Sequence, residues 1–209
     1  MFPLTENPIS ESGNWTNGGT TGLDWSNVQT TPELAFGTIN SSTPNYGDST
    51  AILTGTWNPD QMAQAVVHSV NQTSSIHEEV ELRLRTTVAA HNITGYEVNF
   101  RCTSDGSQYV AIVRWNGSLG DFTYVANLNP GGPGIHDGDT VKATIVGSTI
   151  TAYINGVQVL QGTDSTYTSG NPGIGFDTES DSGSTSRDGN FGVTSFYAAD
   201  NIGTSSANP

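Results

Sequence analysis

Few residues in this chain have the types and spacing that chemistry needs. His77–Glu81 reads HEEVE, which lacks the second histidine that zinc-binding helices place one turn after the first, so zinc-assisted hydrolysis has no support there. His91, Tyr96 and Arg101 supply a base and a carboxylate-neutralising cation, as a polysaccharide lyase requires, yet ordinary surface residues satisfy the same description. No Gly-x-Ser-x-Gly elbow occurs. The Gly-rich stretch Asn129–Gly134, NPGGPG, lies between two strand-like segments, with no helix to aim its dipole at a phosphate. A complete catalytic constellation is missing.

Binding chemistry is better represented. Five of the six Lys and Arg residues fall between Arg83 and Lys142, and Arg83, Arg85, Arg101 and Arg114 lie in three successive strand-like segments. Side chains alternate across a strand, so Glu81, Arg83 and Arg85 share the face opposite Val80, Leu82 and Leu84, while Glu97, Asn99 and Arg101 oppose Val98 and Phe100. The pattern predicts one sheet with a polar Arg/Glu/Asn face. On such a face Arg and Asn donate to sugar hydroxyls or to a carboxylated or sulfated glycan, and Tyr96, Tyr109 or Trp115 stacks on a pyranose ring. Cross-strand Arg–Glu pairs that only stabilise a sheet fit the same pattern. Acidic loops give a second candidate: Asp177, Glu179 and Asp181 in FDTESDSGSTSRDG, and Asp137 and Asp139 in HDGD, offer the hard oxygens that calcium prefers. Their spacing departs from an EF-hand, and a solvated acidic loop accounts for the same residues.

The elements that must position these residues read as strands. From Glu79 onward, EVELRLRTT, TGYEVNFRCT, SQYVAIVRW, DFTYVANL, DTVKATIVG, STITAYING and VQVLQG follow one another, separated by Asp, Asn, Gly and Ser turn formers. This predicts an antiparallel meander, with Asn155-Gly156 as a type I′ hairpin turn. Trp57–Val70, WNPDQMAQAVVHSV, has helix-forming residues, but read with period two it puts Ala63, Ala65 and Val67 on one face and Met62, Gln64, Val66 and His68 on the other. A strand is expected there, as are short strands at Trp25–Val28 and Ala51–Leu53 and a terminal strand in GNFGVTSFYAAD. Residues 1–200 are expected to form one unit and 201–209 a polar tail.

Composition narrows the partners. The 209 residues carry a formal net charge of -14, because Lys and Arg are so few. Nucleic acid and anionic membrane surfaces are therefore poor partners. No run approaches the length of a membrane span, and the first residues show neither a basic nor an apolar export signal. Cys102 is the single cysteine, so no internal disulfide can form, and a small buried hydrophobe is its expected role.

The segment GDTVKATIVGSTITAYINGVQVLQGTDSTYTSGNPGIGF, together with SGNWTNGGTTGL near the start and NFGVTSFYAAD near the close, resembles concanavalin A-like (laminin-G-like) jelly-roll domains. The resemblance implies an all-β, two-sheet antiparallel sandwich with little or no helix. It makes Asp164–Phe176 a crossover between sheets, with Asp164 and Tyr167 anchoring the loop and Ile174 and Phe176 re-entering the core. Retaining glucanases of this superfold place Glu-x-Asp-x-x-Glu on one strand face, and Glu79 and Glu81 have no Asp between them. The implied function is a non-catalytic carbohydrate-binding or adhesion module. Acidic, Ser/Thr/Asn-rich composition without an export signal or disulfide fits an exterior component of a bacteriophage virion, an adhesion or capsid decoration protein that contacts glycan or capsid protein and forms a homo-oligomer. A lyase or glycosidase of the same superfold, or a secreted carbohydrate-binding module, is the alternative. No cofactor is required; calcium is the one the acidic loops would take.

Overall fold

A computed structural model describes residues 1–38, 48–70, 78–102, 108–177 and 189–203. Its strands are β1 (Trp15–Asn17), β2 (Val28–Thr31), β3 (Leu34–Gly37), β4 (Ser49–Leu53), β5 (Gln61–Ser69), β6 (Glu79–Ala89), β7 (Asn92–Arg101), β8 (Val110–Gly117), β9 (Phe122–Leu128), β10 (Thr140–Val146), β11 (Thr149–Ile154), β12 (Val157–Thr163), β13 (Asn171–Asp177) and β14 (Phe191–Asp200). A 3₁₀ turn at Gly19–Thr21 is the one helical element among the described residues. No helix there is long and apolar enough to cross a membrane.

Two seven-stranded antiparallel sheets result, ordered β1-β4-β13-β6-β7-β8-β9 and β12-β11-β10-β5-β14-β3-β2. The predicted single meander is two: β6 to β9 in the first sheet and β10 to β12 in the second. The break follows from packing, since each sheet needs the apolar face of the other to cover its own. Leu82, Leu84, Val98, Phe100 and Ile112 from the first sheet and Ala63, Ala65, Val67, Val141 and Ile145 from the second meet in the common core. Complete burial of each larger aliphatic side chain contributes about 1.5–3 kcal/mol.

Local predictions match in detail. β5 buries Ala63, Ala65 and Val67 and leaves Met62, Gln64, Val66 and His68 half-buried. Asn155 and Gly156 take φ of 50° and 80°, and Ile154 pairs with Val157 across the turn. Cys102 is buried. The crossover joins β12 to β13, where Ile174 and Phe176 are fully buried. The strand expected at Trp25–Val28 instead begins at Val28, because Leu23 and Trp25 leave the sheet plane to pack on the outer face of the first sheet.

Candidate functional site

On that outer face β6 presents Glu79, Glu81 and Arg83, β7 presents Glu97, Asn99 and Arg101, and β8 and β9 add Trp115, Phe122 and Tyr124. Register sets the neighbours: Arg83 lies across from Glu97, Glu81 from Asn99, Glu79 from Arg101, and Trp115 from Phe122. Arg83 is ion-paired on one side to Glu81 and on the other to Glu97. The Trp115 Nε1–H donates to Glu97 Oε2 at 2.7 Å, and Asn99 Nδ2 donates to Glu79 Oε1 at 2.9 Å. Trp25 closes this network from outside, its ring 4.7 Å from the Arg83 guanidinium carbon and 4.7 Å, edge-on, from Trp115. Such a cation–π contact is strengthened by the absence of water around it.

Carboxylate atoms of Glu79, Glu81 and Glu97 lie within 4.8 Å of one another. Burial, with the charges of Glu97 and Asp48 behind it, pushes Glu79 up to about 8, and burial followed by the Glu97 charge lifts Glu81 well above the usual carboxylate range against the pull of Arg83. Both groups thus hold their protons to higher pH than exposed carboxylates do, which lessens the negative charge packed around Arg83. The same three carboxylates have metal-like spacing, but Arg83 already supplies the cation between two of them.

The expected open Arg/Glu/Asn surface is corrected in two respects. First, Arg83 is 0% exposed, and Glu81, Glu97 and Trp115 are buried with it, because Leu23 and Trp25 cover the face. Second, not all the predicted residues share it. A β-bulge between Leu84 and Thr87, with Arg85 at φ 48°, breaks the alternation and turns Arg85 away. Gly95 makes room for the bulge: a Cβ there would sit 2.6 Å from the Thr86 Cα. Arg85 instead donates to the carbonyls of Pro59 (2.7 Å), Tyr167 (3.0 Å) and Gly147 (2.8 Å), tying strand ends together. Tyr96 belongs to the inner face, where its hydroxyl donates to Asp164 Oδ1 at 2.7 Å and accepts the Tyr167 N–H at 3.0 Å. Arg114, opposite Tyr96, donates to Asp164 Oδ2 at 2.6 Å. Asp164 thus anchors the crossover loop as expected.

What remains accessible on the outer face is a rim. Asn99, Arg101, Tyr109 and Phe122 are half-buried, and Tyr124 is 53% exposed. The rings form a contiguous series, Trp25 to Trp115 to Phe122 to Tyr124, with the last two steps at 5.3 and 5.5 Å. Burial and then the nearby charges of Glu79 and Glu97 raise the Tyr124 phenol, and Tyr109, hydrogen-bonded to Glu79, is pushed far up chiefly by burial. The rim thus sits over the carboxylates. Phe122 and Tyr124 were missed from sequence, although FTY alternation beside a strand already carrying Trp115 was the available signal.

The calcium candidates do not assemble among the described residues. Asp137 accepts the Ser69 N–H at 2.9 Å, and Asp139 accepts the His136 N–H at 2.8 Å and Asn155 Nδ2 at 2.7 Å, so their oxygens serve turns. Asp177 ends β13 on the other sheet. Glu179 and Asp181 lie outside the described residues.

No family model and no curated protein matches the sequence. Solved structures do. The carbohydrate binding module CBM66 from Bacillus subtilis superposes with a TM-score of 0.58 at 16% identity, over 79% of this chain and 91% of that one. The potassium-bound carbohydrate recognition domain of Emp46p gives 0.60 at 12% identity, over 95% and 94%. The fold is the concanavalin A-like jelly roll. A legume lectin-like domain from Entamoeba histolytica is similar over 94% of this chain and 95% of its own, with a TM-score of 0.56 at 12% identity. At these identities the likeness establishes architecture, and the site must be argued from its own geometry.

Proposed function

We propose that the protein is a non-catalytic carbohydrate-binding module that takes glycan at the rim formed by Asn99, Arg101, Tyr109 and Tyr124. The observation that carries this is Tyr124, a large aromatic ring left exposed at the end of an edge-to-face aromatic series, on the sheet face that also carries the half-buried Asn99 and Arg101. Sugars are held by such a pairing of a flat apolar platform with directed hydrogen bonds. The similarity to a carbohydrate binding module and to lectin-type domains supports the same reading. The carboxylates beneath are poor general acids or bases for a polysaccharide, because a catalytic group must reach its substrate and Glu79, Glu81 and Glu97 are buried.

A glycan array, with and without a chelator, tests the proposal. Selective, chelator-insensitive binding that is lost in both Tyr124→Ala and Arg101→Ala is expected; undiminished binding in both variants removes the rim. The acidic composition also favours display on the exterior of a virion, as an adhesion or capsid decoration protein. Concentration-independent oligomers in light scattering are expected on that basis, and a strict monomer argues against it.

A further inference from the structure

The outer face of the second sheet is nearly free of charge, on a chain rich in carboxylates. Of the 20 Asp and Glu residues, β5, β10, β11, β12 and β14 hold one, Asp200, the last residue of β14. Strand pairing sets the outward residues in rows. Tyr197, Gln64, Lys142, Tyr153 and Gln158 form one row, and Met62 stands beside Thr144 in the next. Tyr197 is 59% exposed, and Gln64, Lys142, Tyr153, Met62 and Thr144 are half-buried. Lys142, the chain's one lysine, lies over Tyr153 with its ammonium nitrogen 4.2 Å from the ring centroid, and it is the one formal charge in these rows.

Carboxylates gather at the strand ends instead. Asp60 precedes β5 and accepts the Gly147 N–H at 2.8 Å, Asp137 and Asp139 precede β10, and Asp200 accepts the Asn58 N–H at 2.8 Å. A charge-depleted centre that bears Tyr and Met, inside a charged rim, is the composition that sets the core of a protein interface apart from ordinary surface. Five strands about 4.8 Å apart and about six residues long give a face on the order of 24 by 20 Å. That is the scale on which a standard interface buries about 800 Å² of accessible surface per partner.

Charge also selects the occupant. Two copies of a chain with net charge -14 repel wherever their carboxylates face one another, and this face lets them approach with none at its centre. Its single cation is opposite in sign to the rim of a facing copy. A nucleic acid or an anionic membrane would find only that one lysine. We infer that two copies of the chain pack through this face about a two-fold axis, with β5 and β10 at the centre of the contact. The inference names the surface of the oligomer expected above for virion display and rests on that reading. The glycan rim lies on the other sheet and stays open in such a dimer.

Sedimentation velocity on the intact protein over a concentration series tests the assignment with three substitutions. Met62→Glu and Thr144→Glu each put a carboxylate at the centre of the face, and Ser118→Glu adds the same charge in the turn between β8 and β9. A dimer is expected for the unaltered protein and for Ser118→Glu, with a dissociation constant at least ~10-fold higher in Met62→Glu and in Thr144→Glu. The isosteric Gln64→Glu, expected to act in the same direction, decides the outcome should the other two face variants fail to fold. A dimer that the face substitutions leave unchanged overturns this surface alone and leaves the virion reading standing. A monomeric unaltered protein overturns both, and loss of glycan binding in a monomeric Met62→Glu protein then assigns the face to sugar.

Discussion

β5 and β6 are alternating strands one after the other in the chain, and their outward residues meet opposite fates. Met62, Gln64, Val66 and His68 on β5 stay half-buried, whereas Glu79, Glu81 and Arg83 on β6 are shut away from water. The apolar strand faces outward where polarity would be expected, and the charged one is covered. Alternation decides which side of a sheet a residue occupies, but a separate element decides whether that side meets solvent. Over Arg83 that element is Leu23–Trp25, laid against β7 and β8.

The comparison breaks most sharply if the cover is removed. Trp25→Ala should destabilise the protein by about 4 kcal/mol through lost packing on Arg83 and Trp115, while Met62→Ala on the uncovered side should cost about 1 kcal/mol or less; urea unfolding of both variants measures the difference. Arg83→Met should cost about 3 kcal/mol, because it leaves Glu97 buried without its cation, and a second substitution, Glu81→Gln, should not add the same again.

The pH dependence follows from the raised carboxylates. Burial pushes Glu79 to about 8 and Glu78 to about 7, above the value of 4.5 each has when exposed. Between about pH 4.5 and 8 the folded protein therefore binds more protons than the unfolded chain. Stability is highest at the acid end of this window and falls as pH rises through the folded values, the reverse of an ion-paired carboxylate. A loss of several kcal/mol between pH 5 and 8, about 1.4 kcal/mol per pH unit for each raised carboxylate still protonated in the folded protein, is expected in chemical denaturation, with Glu79→Gln flattening the slope. Gly175→Ala should have a smaller effect, about 1–2 kcal/mol, since a Cβ there meets the Glu81 carboxylate at 2.2 Å and the Ser49 carbonyl at 2.7 Å.

Much of the fold was legible in the sequence, because the YINGV hairpin, the Ala63/Ala65/Val67 face and the glycine-rich crossover each depend on neighbours in the chain. The site was legible only in part. Alternation correctly grouped Arg83, Glu97, Asn99 and Arg101, and it failed at Arg85, where the bulge inserts a residue. It also could not show that Trp25 folds back over the face, since that contact joins residues far apart in sequence.

Two exposed tyrosines provide the most direct test of the glycan rim. Tyr124 is 53% exposed on the first sheet and Tyr197 59% exposed on the second. Either substitution by Ala should change stability by no more than about 0.5 kcal/mol. The affinity of each variant for the best ligand from the array, measured by calorimetry, then isolates recognition. Loss of binding in Tyr124→Ala with full binding in Tyr197→Ala is predicted; full binding in Tyr124→Ala, or equal loss in both, contradicts the assignment.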